Sequence, residues 1–254
     1  MTHRKASEST DAALSPHLAR LWRLTPPERR GRPARLTLDL VVGRAVELAD
    51  AAGLDAVTIP RVAQAVGCST MALYRHVSSK DELLVLMTDL AAGAPPGPDD
   101  ITADSWRENL RGWADALHAV VSAHPWITRV PINGPPAGPG HMAWLDAALR
   151  ALRGAALPLS EKVAVVTLIS GYIHQAVRLT VDHAAGMGDD PEGAYQAYGA
   201  ALAGLVQPAR FPDAAELFVG QAFAPATAPS EDLSENYFHL GLEIILDGIE
   251  RKYG

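Results

Sequence analysis

The chain has 254 residues, of which 48% are hydrophobic and 20% charged, with a net charge of −7 and a single cysteine. This composition is typical of a globular protein with a real core, and one cysteine excludes an intrachain disulfide and a multi-cysteine metal site. No run of about 18 uncharged apolar residues is present, and the N-terminus lacks a basic-then-apolar pattern. We therefore expect a cytoplasmic protein with no membrane span and no secretory signal.

The charge is unevenly distributed along the chain. Residues 1–80 carry 12 Lys and Arg against 7 Asp and Glu, a net charge of +5, whereas residues 81–254 carry 10 against 22, a net charge of −12. The asymmetry indicates that the N-terminal part approaches the phosphates of a nucleic acid and that the remainder of the chain does not. A basic tail on an acidic domain is the alternative explanation.

Residues 1–35 are polar and contain several prolines, so we expect a mostly disordered arm with at most a short amphipathic turn or two. Arg30 and Arg32 belong to an Arg-Gly-Arg-Pro stretch, which suits a narrow A·T-rich minor groove because the negative potential is enhanced there. A solvated basic linker is the alternative.

Four short helices are predicted after the arm. Apolar residues recur there at helical spacing, and at the breaks lie Ser or Thr residues that can cap a helix or Gly residues that can end one. These helices are expected at about 38–52, 59–66, 69–76 and 79–90.

The remainder is also predicted to be helical. Apolar residues from Trp106 to His124 follow a 4-3-4-3-4 spacing that marks one buried stripe, and Pro125 stops that helix. Residues 131–140 are rich in Pro and Gly and form a loop. No alternating strand pattern of useful length is present, so the predicted fold class is all-α. Further helices are expected at about 141–153, 161–183, 191–206 and 233–252.

The pair of helices at 59–66 and 69–76, with Gly67 between them, has the layout that major-groove recognition requires. The groove is about 12 Å wide and admits one helix while the partner helix crosses the backbone. We therefore predict a helix-turn-helix DNA-binding domain at 36–84, between the arm at 1–35 and a helical domain at 85–254.

The surrounding residues make this prediction more specific. The stretches 53–58 (GLDAVT) and 72–84 (ALYRHVSSKDELL) closely resemble the tetracycline-repressor (TetR) family of transcription regulators. Tyr74, His76 and Lys80, followed by two leucines, fall where the signature of that family places an aromatic residue, a ring, a lysine and two leucines. A weaker likeness to the C-terminal domain of the tetracycline-repressor type comes from His124-Pro125-Trp126 and Trp144-Leu145.

The resemblance implies a homodimer with a small N-terminal DNA-binding domain and a larger helical domain that binds a small effector. Such proteins are mostly repressors, which leave a palindromic double-stranded operator when the effector binds. By resemblance, the residues from Ser69 to Ala72 face the bases. Pro60 departs from the polar or basic residue that the family often has at the start of its second helix. This weakens any base contact at that position and leaves Arg61 as a phosphate partner. The predicted DNA-binding residues are Arg30, Arg32, Thr58, Arg61, Ser69, Thr70, Met71, Ala72, Tyr74, His76 and Lys80.

Two of these residues have alternative roles. Ser69 can cap the recognition helix as well as contact DNA, and His76 can pack between helices instead of donating to a phosphate. Tyr74 and Lys80 suit phosphate contacts, which set register without reading sequence. A cation at a helix start is not favoured by the helix dipole, so DNA explains Lys80 better.

The larger domain contains the candidates for an effector pocket and a dimer interface. Ligand pockets are mainly apolar with a few polar groups, so we expect an aromatic or apolar effector. The effector-binding candidates are Trp113, His118, Trp126, His141, Trp144, Tyr172, His174 and Gln175. The dimer-interface candidates, on the helices at 161–183 and 233–252, are Val166, Ile169, Ile173, Val177, Tyr237, Leu240, Ile244 and Gly248. A monomeric core is the alternative for the latter set.

An enzyme and a protein-binding scaffold are the alternatives to a DNA-binding regulator. An enzyme lacks support because no His-Glu-x-x-His metal spacing, phosphate-binding glycine loop or Gly-x-Ser-x-Gly elbow is present in the sequence. We therefore expect no catalytic residue, metal or cofactor. A helical scaffold that binds only protein is the other alternative, and failure to bind DNA would distinguish it.

Overall fold

The computed structural model describes residues 15–24, 36–100, 105–131, 137–187, 191–219 and 231–253. Within these ranges the chain consists of helices and loops without a strand, which confirms the predicted all-α fold class. The α-helices are α1 (Pro16–Leu21), α2 (Leu38–Ala52), α3 (Ile59–Val66), α4 (Thr70–Leu73), α5 (Lys80–Ala91), α6 (Trp106–Ala123), α7 (Pro139–Ala151), α8 (Leu159–Met187), α9 (Pro191–Leu205), α10 (Pro212–Val219) and α11 (Glu231–Tyr253).

The chain divides into two compact units: unit 1 is Met1–Pro95 with Arg129–Asp146, and unit 2 is Pro96–Thr128 with Ala147–Gly254. The predicted domain boundary between residues 84 and 85 falls inside α5, whose buried side chains continue to Ala91. The structure therefore moves this boundary to residue 95. It also places residues 129–146, which the sequence assigned to the larger domain, in the unit that holds the helix-turn-helix.

The helices of the helix-turn-helix begin at side chains that cap them. Thr37, Thr58, Ser69 and Ser79 each accept a hydrogen bond from the backbone N–H three residues further on, at 3.1 to 3.4 Å. These bonds satisfy N–H groups that lack a helical partner. Gly67 ends α3 in the left-handed region, at φ 76° and ψ 37°, where a side chain would be strained.

The core of unit 1 lies among α2, α3, α4 and α5. Leu73 and Val77, from α4 and the turn after it, are 0% and 1% exposed and fix the recognition helix on this core. The other buried apolar residues here include Val41, Val42, Ala45, Ala49, Val62, Ala63, Leu83, Leu86 and Met87.

The short amphipathic turn or two that the sequence allows in the N-terminal arm is present as α1. Ser15 caps α1, accepting a hydrogen bond from Leu18 N at 3.2 Å, and Leu21 is completely buried. One buried leucine and a capped start are enough to dock a short helix on a preformed surface. Residues 1–14 and 25–35, which include Arg30 and Arg32, lie outside the described residues.

Unit 2 is built around α6, α8 and α11, which pack on one another. Leu110, Ile169 and Leu242, one from each helix, are 0% exposed. Gly241 of α11 allows a close approach to α8, because a Cβ there would overlap the ring and hydroxyl of Tyr172. Helix α10, which the sequence did not predict, packs on α9.

Helix α8 is the one described helix that is long and apolar enough to cross a membrane, over Leu159–Gly186. A single helix of this kind is weak evidence for a membrane span, because the core helix of a soluble protein passes the same test. Its buried residues include Val165, Val166, Ile169, Ile173 and Val177.

Candidate nucleic-acid interface

The recognition helix is shorter than predicted. Regular α-helix covers only Thr70–Leu73, although backbone bonds from Tyr74 N to Thr70 O and from His76 N to Leu73 O continue the turn. Because Leu73 faces the core, the opposite side of α4 is presented to solvent. Met71 is 72% exposed and Tyr74 51% exposed, so both side chains are open to solvent.

The predicted DNA contacts within the described residues fall into two groups. The half-buried ones are Thr58, Ala72 and His76; the exposed ones are Arg61, Ser69, Thr70, Met71, Tyr74 and Lys80. Thr58 and Ser69 both cap helices through their side-chain oxygens. The capping role of Ser69 is therefore confirmed, while its DNA contact stays a prediction.

A buried acidic residue organises the turn between α4 and α5. Glu82 is 6% exposed, and its Oε2 accepts a hydrogen bond from Ser78 N at 2.6 Å, while Glu82 N donates to Ser79 Oγ at 3.1 Å. Arg20 of α1 donates through Nε to Glu82 Oε1 at 2.7 Å and through Nη2 to Ser78 Oγ at 2.6 Å. Lys80, the first residue of α5, lies between these anchored positions.

The electrostatics of this turn favour an ionised Glu82. Burial alone would raise the pKa of Glu82, but hydrogen bonds from Arg20 and from the backbone and side chain of Ser78 outweigh it and lower the pKa below its usual value. Sequence reasoning missed Arg20 and Glu82. The Ser-x-x-Glu spacing from Ser79 to Glu82 was the available signal for the acidic residue.

A second set of contacts joins the start of α7 to the end of α5 within unit 1. Asp89 Oδ1 accepts hydrogen bonds from His141 N at 3.1 Å and His141 Nδ1 at 3.0 Å, and Trp144 Nε1 donates to Ala92 O at 2.8 Å. Gly138 and Gly140 lie so close to Asp89 that a Cβ at either position would overlap it. Burial raises the pKa of Asp89, but the hydrogen bonds from His141 and Gly140 more than offset this and lower it.

The eight predicted effector residues are divided between the two units. His141 and Trp144 lie in unit 1, and the other six lie in unit 2. Trp113, Trp126 and Trp144 are 2 to 5% exposed and belong to the cores. His174 Nδ1 lies 2.8 Å from Ser170 O of its own helix, and Gln175 is exposed.

Two of the predicted effector residues meet at an aromatic residue that the sequence analysis did not select. The His118 ring stacks on Phe238 at 4.0 Å between centroids, and Tyr172 stacks on the same ring at 5.8 Å. The Tyr172 hydroxyl also donates to the carbonyl oxygens of Tyr237 and Phe238, at 3.0 and 2.9 Å. Burial raises the pKa of Tyr172. This stack therefore joins α6, α8 and α11.

Half of the predicted dimer-interface residues are buried inside the single chain, where the prediction required them to be exposed to a partner. Val166, Ile169, Ile173 and Val177 are 0 to 7% exposed in the single chain, so they form its core and are not available to a partner. Helix α8 is apolar on more than one face, and the sequence could not indicate which face turns inward. Its exposed apolar residues are Leu159, Val163, Leu168 and Leu179.

The stripe on α11 is exposed as expected. Tyr237, Leu240 and Ile244 are 69%, 58% and 63% exposed, and Gly248 continues the same face. An open groove of about 470 Å³ lies at its end, lined by Ile244, Gly248, Arg251 and Lys252. None of the predicted effector residues lines this groove. Among the described residues, no group of three His, Cys, Asp or Glu side chains could hold a metal ion.

Both parts of the chain match known families. Residues 42–87 match "Bacterial regulatory proteins, tetR family", and residues 98–253 match "Tetracyclin repressor-like, C-terminal domain". The HTH-type transcriptional repressor DrrR1 of Streptomyces coeruleorubidus is 33% identical over 253 residues, which cover 95% of this chain and 89% of that protein. The tetracycline repressor protein class E of Escherichia coli is 28% identical over 145 residues, 57% of this chain and 68% of that protein.

Solved structures agree with these matches. The Streptomyces coelicolor TetR family protein ActR in complex with actinorhodin has a TM-score of 0.67 and 27% sequence identity, covering 86% of this chain and 99% of that one. The complex of ActR with (S)-DNPA has a TM-score of 0.66 and 26% identity over 86% of this chain and 99% of that one. The chain belongs to the TetR family of bacterial transcription regulators.

Proposed function

We propose that this protein is a repressor that binds a palindromic operator as a homodimer and leaves it when a small effector binds. The observation that carries the proposal is the solvent face of α4. Met71 and Tyr74 are both more than half exposed on a helix that Leu73 fixes to the core. An exposed, rigidly mounted helix of this size fits the major groove, where Met71 can contact a thymine methyl and Thr70 can hydrogen-bond a base edge.

Phosphate contacts complete the interface that we propose. Tyr74, Lys80 and Arg61 are exposed around α4 and can donate to backbone phosphates, which set the register of the protein on DNA. Arg30 and Arg32 stay candidates for the minor groove on sequence grounds alone. Because the target is chromosomal DNA, we place the protein in the cytoplasm.

The homodimer is supported by the exposed apolar surface of unit 2. Tyr237, Leu240 and Ile244 form a stripe on α11, and Leu168 and Leu179 are exposed on the neighbouring α8. An apolar stripe of this extent on a soluble regulator indicates a protein interface. Pairing α8 and α11 with the same helices of a second copy would give a four-helix contact with two-fold symmetry, which matches a palindromic operator.

We place effector binding in unit 2 and propose an aromatic or apolar compound. ActR, which has the same fold, was solved in complex with actinorhodin and with (S)-DNPA. Unit 2 offers the buried rings of Trp113 and Trp126, which would respond to a ligand that enters the core. No reaction is assigned to this chain, because the family consists of transcription regulators.

The proposal is tested by selecting bound sites from random double-stranded DNA and then measuring affinity by fluorescence anisotropy. We expect a palindromic consensus and a Kd that Met71→Ala weakens about 10-fold, the loss of about one base contact. Leu90→Ala is the matched control, because Leu90 is also an exposed apolar residue of unit 1 and lies at the far end of α5. Selection of no sequence would contradict the proposal and favour a protein-binding scaffold.

Release is tested with the same DNA. Actinorhodin and (S)-DNPA are titrated against the complex while tryptophan fluorescence is followed. We expect quenching and loss of anisotropy in one concentration range, because binding in unit 2 and release of DNA are linked. A compound that quenches without releasing DNA would contradict the effector role.

A further inference from the structure

We propose that helix α1 is a working part of the DNA-binding domain, in which Arg20 acts as a positioning residue that sets the place of Lys80 through Glu82 and Ser78. The inference rests on the proposed function, since it concerns how the same DNA interface is held. It concerns a segment that lies before the part of the chain that matches the N-terminal family model, which begins at residue 42.

Helix α1 and the two residues after it are docked at several points. Leu21 is completely buried, and Arg23 Nε donates to Asp39 Oδ1 of α2 at 2.7 Å. Trp22 Nε1 donates to Ala137 O at 2.8 Å. Together with the bonds of Arg20 to Ser78 and Glu82, these are contacts to three separated segments of unit 1. They hold a six-residue helix that could not be stable alone.

The buried carboxylate of Glu82 needs a charged partner. Glu82 is 6% exposed, so its charge is costly to bury without a partner. Arg20 supplies that partner at 2.7 Å, and His17 Nδ1 lies 3.3 Å from the same oxygen. Without Arg20 the carboxylate would be driven to take up a proton or to turn towards water, and either change would weaken its bond to Ser78 N.

This network reaches the proposed DNA contact through Lys80. Arg20 binds Glu82 and Ser78 with one guanidinium, a two-pronged contact that a point charge such as Lys does not reproduce. Ser78 and Glu82 lie two residues before and two residues after Lys80 and fix the backbone on both sides of it. Lys80 itself is exposed and has the phosphate-binding role in the proposed interface. Loss of Arg20 therefore leaves Lys80 present but misplaced.

A double-mutant cycle on DNA binding tests the inference. Kd for the selected operator is measured against salt concentration for the full-length protein and for Arg20→Ala, Lys80→Ala and the double variant. Each single substitution is expected to weaken binding about 10-fold and to lower the slope of log K against log salt by about 0.9, the loss of one phosphate contact. The double variant should match Lys80→Ala alone, because Arg20 acts through Lys80.

Two further variants make the test specific. Arg44→Ala also removes one positive charge from unit 1, from an exposed pair with Glu47, and should leave the salt slope unchanged. Ser78→Ala deletes the bonds that the Ser78 hydroxyl makes with Arg20 and Glu82 and keeps the Arg20–Glu82 pair, so it should give a smaller loss in the same direction. Ser78→Ala carries the test if Arg20→Ala does not fold.

The outcomes separate this inference from the proposed function. If the wild-type protein binds its operator and Arg20→Ala lowers only the melting temperature, with unchanged Kd and salt slope, the positioning role is overturned and the proposed function stands. Additive losses in the double variant would also overturn it. If the wild-type protein selects no DNA, the proposed function is overturned and this inference with it.

Discussion

His141 binds Asp89 twice, through its backbone N–H and through its ring Nδ1, and both bonds end on the same carboxylate oxygen at 3.1 and 3.0 Å. The pair joins the start of α7 to α5 of the DNA-binding domain. His141 is also one of the predicted effector ligands. Its ring has a partner within unit 1, and the close approach of Gly138 and Gly140 to Asp89 makes the contact possible, while the effector role stays a prediction.

We predict that His141→Ala destabilises unit 1. The substitution removes a hydrogen bond to a charged group, which contributes about 1.5–3 kcal/mol, while the backbone bond remains. A loss of that size lowers the melting temperature by several degrees in a chain of this length. His183→Ala, which removes an exposed histidine of α8, serves as the control. Equal melting temperatures for the two variants in differential scanning calorimetry would show that the ring bond contributes nothing.

We predict that Gly241→Ala destabilises unit 2. A Cβ at residue 241 would overlap the Tyr172 ring, so α8 and α11 would have to separate, and overpacking of this kind costs about 1–3 kcal/mol. The matched control is Gly112→Ala in α6, where a Cβ meets no atom within 4 Å. There the lower backbone entropy of the unfolded chain should stabilise the protein by about 0.5–1 kcal/mol. Urea denaturation of both variants should give shifts of opposite sign.

The helix-turn-helix could be predicted because its signals are local. Ser69 and Ser79 cap the helices that follow them, and Gly67 takes the left-handed conformation that ends α3. Each of these roles depends on one residue and its near neighbours, so a sequence read without a structure contains the information.

The errors occurred where tertiary contacts decide. Helix α8 has apolar residues on several faces, and only its packing shows that Ile169 lies inside and Leu168 outside. Helix α1 is too short to form alone and depends on the contacts of Arg20 and Leu21 with residues far along the chain. The effector candidates stay predictions, because they were chosen by residue type, which does not distinguish a core tryptophan from one that lines a pocket.

We predict that the protein loses stability in acid because Glu243 becomes protonated. Its hydrogen bond from Arg111 lowers its pKa to about 2 from the usual 4.5, with Arg107 adding to the effect. A lowered pKa in the folded state means that the contribution is present above pH 4.5 and is lost as the pH falls towards 2. Glu243 is 38% exposed, so solvent screening limits the contribution to about 1 kcal/mol or less.

The measurement for this prediction is the melting temperature between pH 6 and pH 3. Glu243→Gln should lower it at pH 6 and should flatten its decline in acid. Glu216→Gln, at an exposed position on α10, should follow the wild-type curve. A Glu243→Gln curve parallel to that of the wild-type protein would assign the acid sensitivity to other carboxylates.

The last prediction concerns the exposed stripe on α11. Ile244→Asp places a charge at a position that is 63% exposed in the single chain and that we propose is buried between two copies. An unpaired buried carboxylate costs several kcal/mol, so the substitution should convert a dimer into a monomer at micromolar concentration.

The control for this prediction is Leu205→Asp, because Leu205 is 72% exposed on α9 and lies outside the stripe. Mass measured by light scattering should fall by half for Ile244→Asp and stay unchanged for Leu205→Asp. The monomer should also bind the full palindromic operator far more weakly than the wild-type dimer does, because the two DNA-binding domains are no longer linked. A dimer with Asp at residue 244 would move the interface away from α11, and the exposed leucines of α8 would be the next positions to substitute.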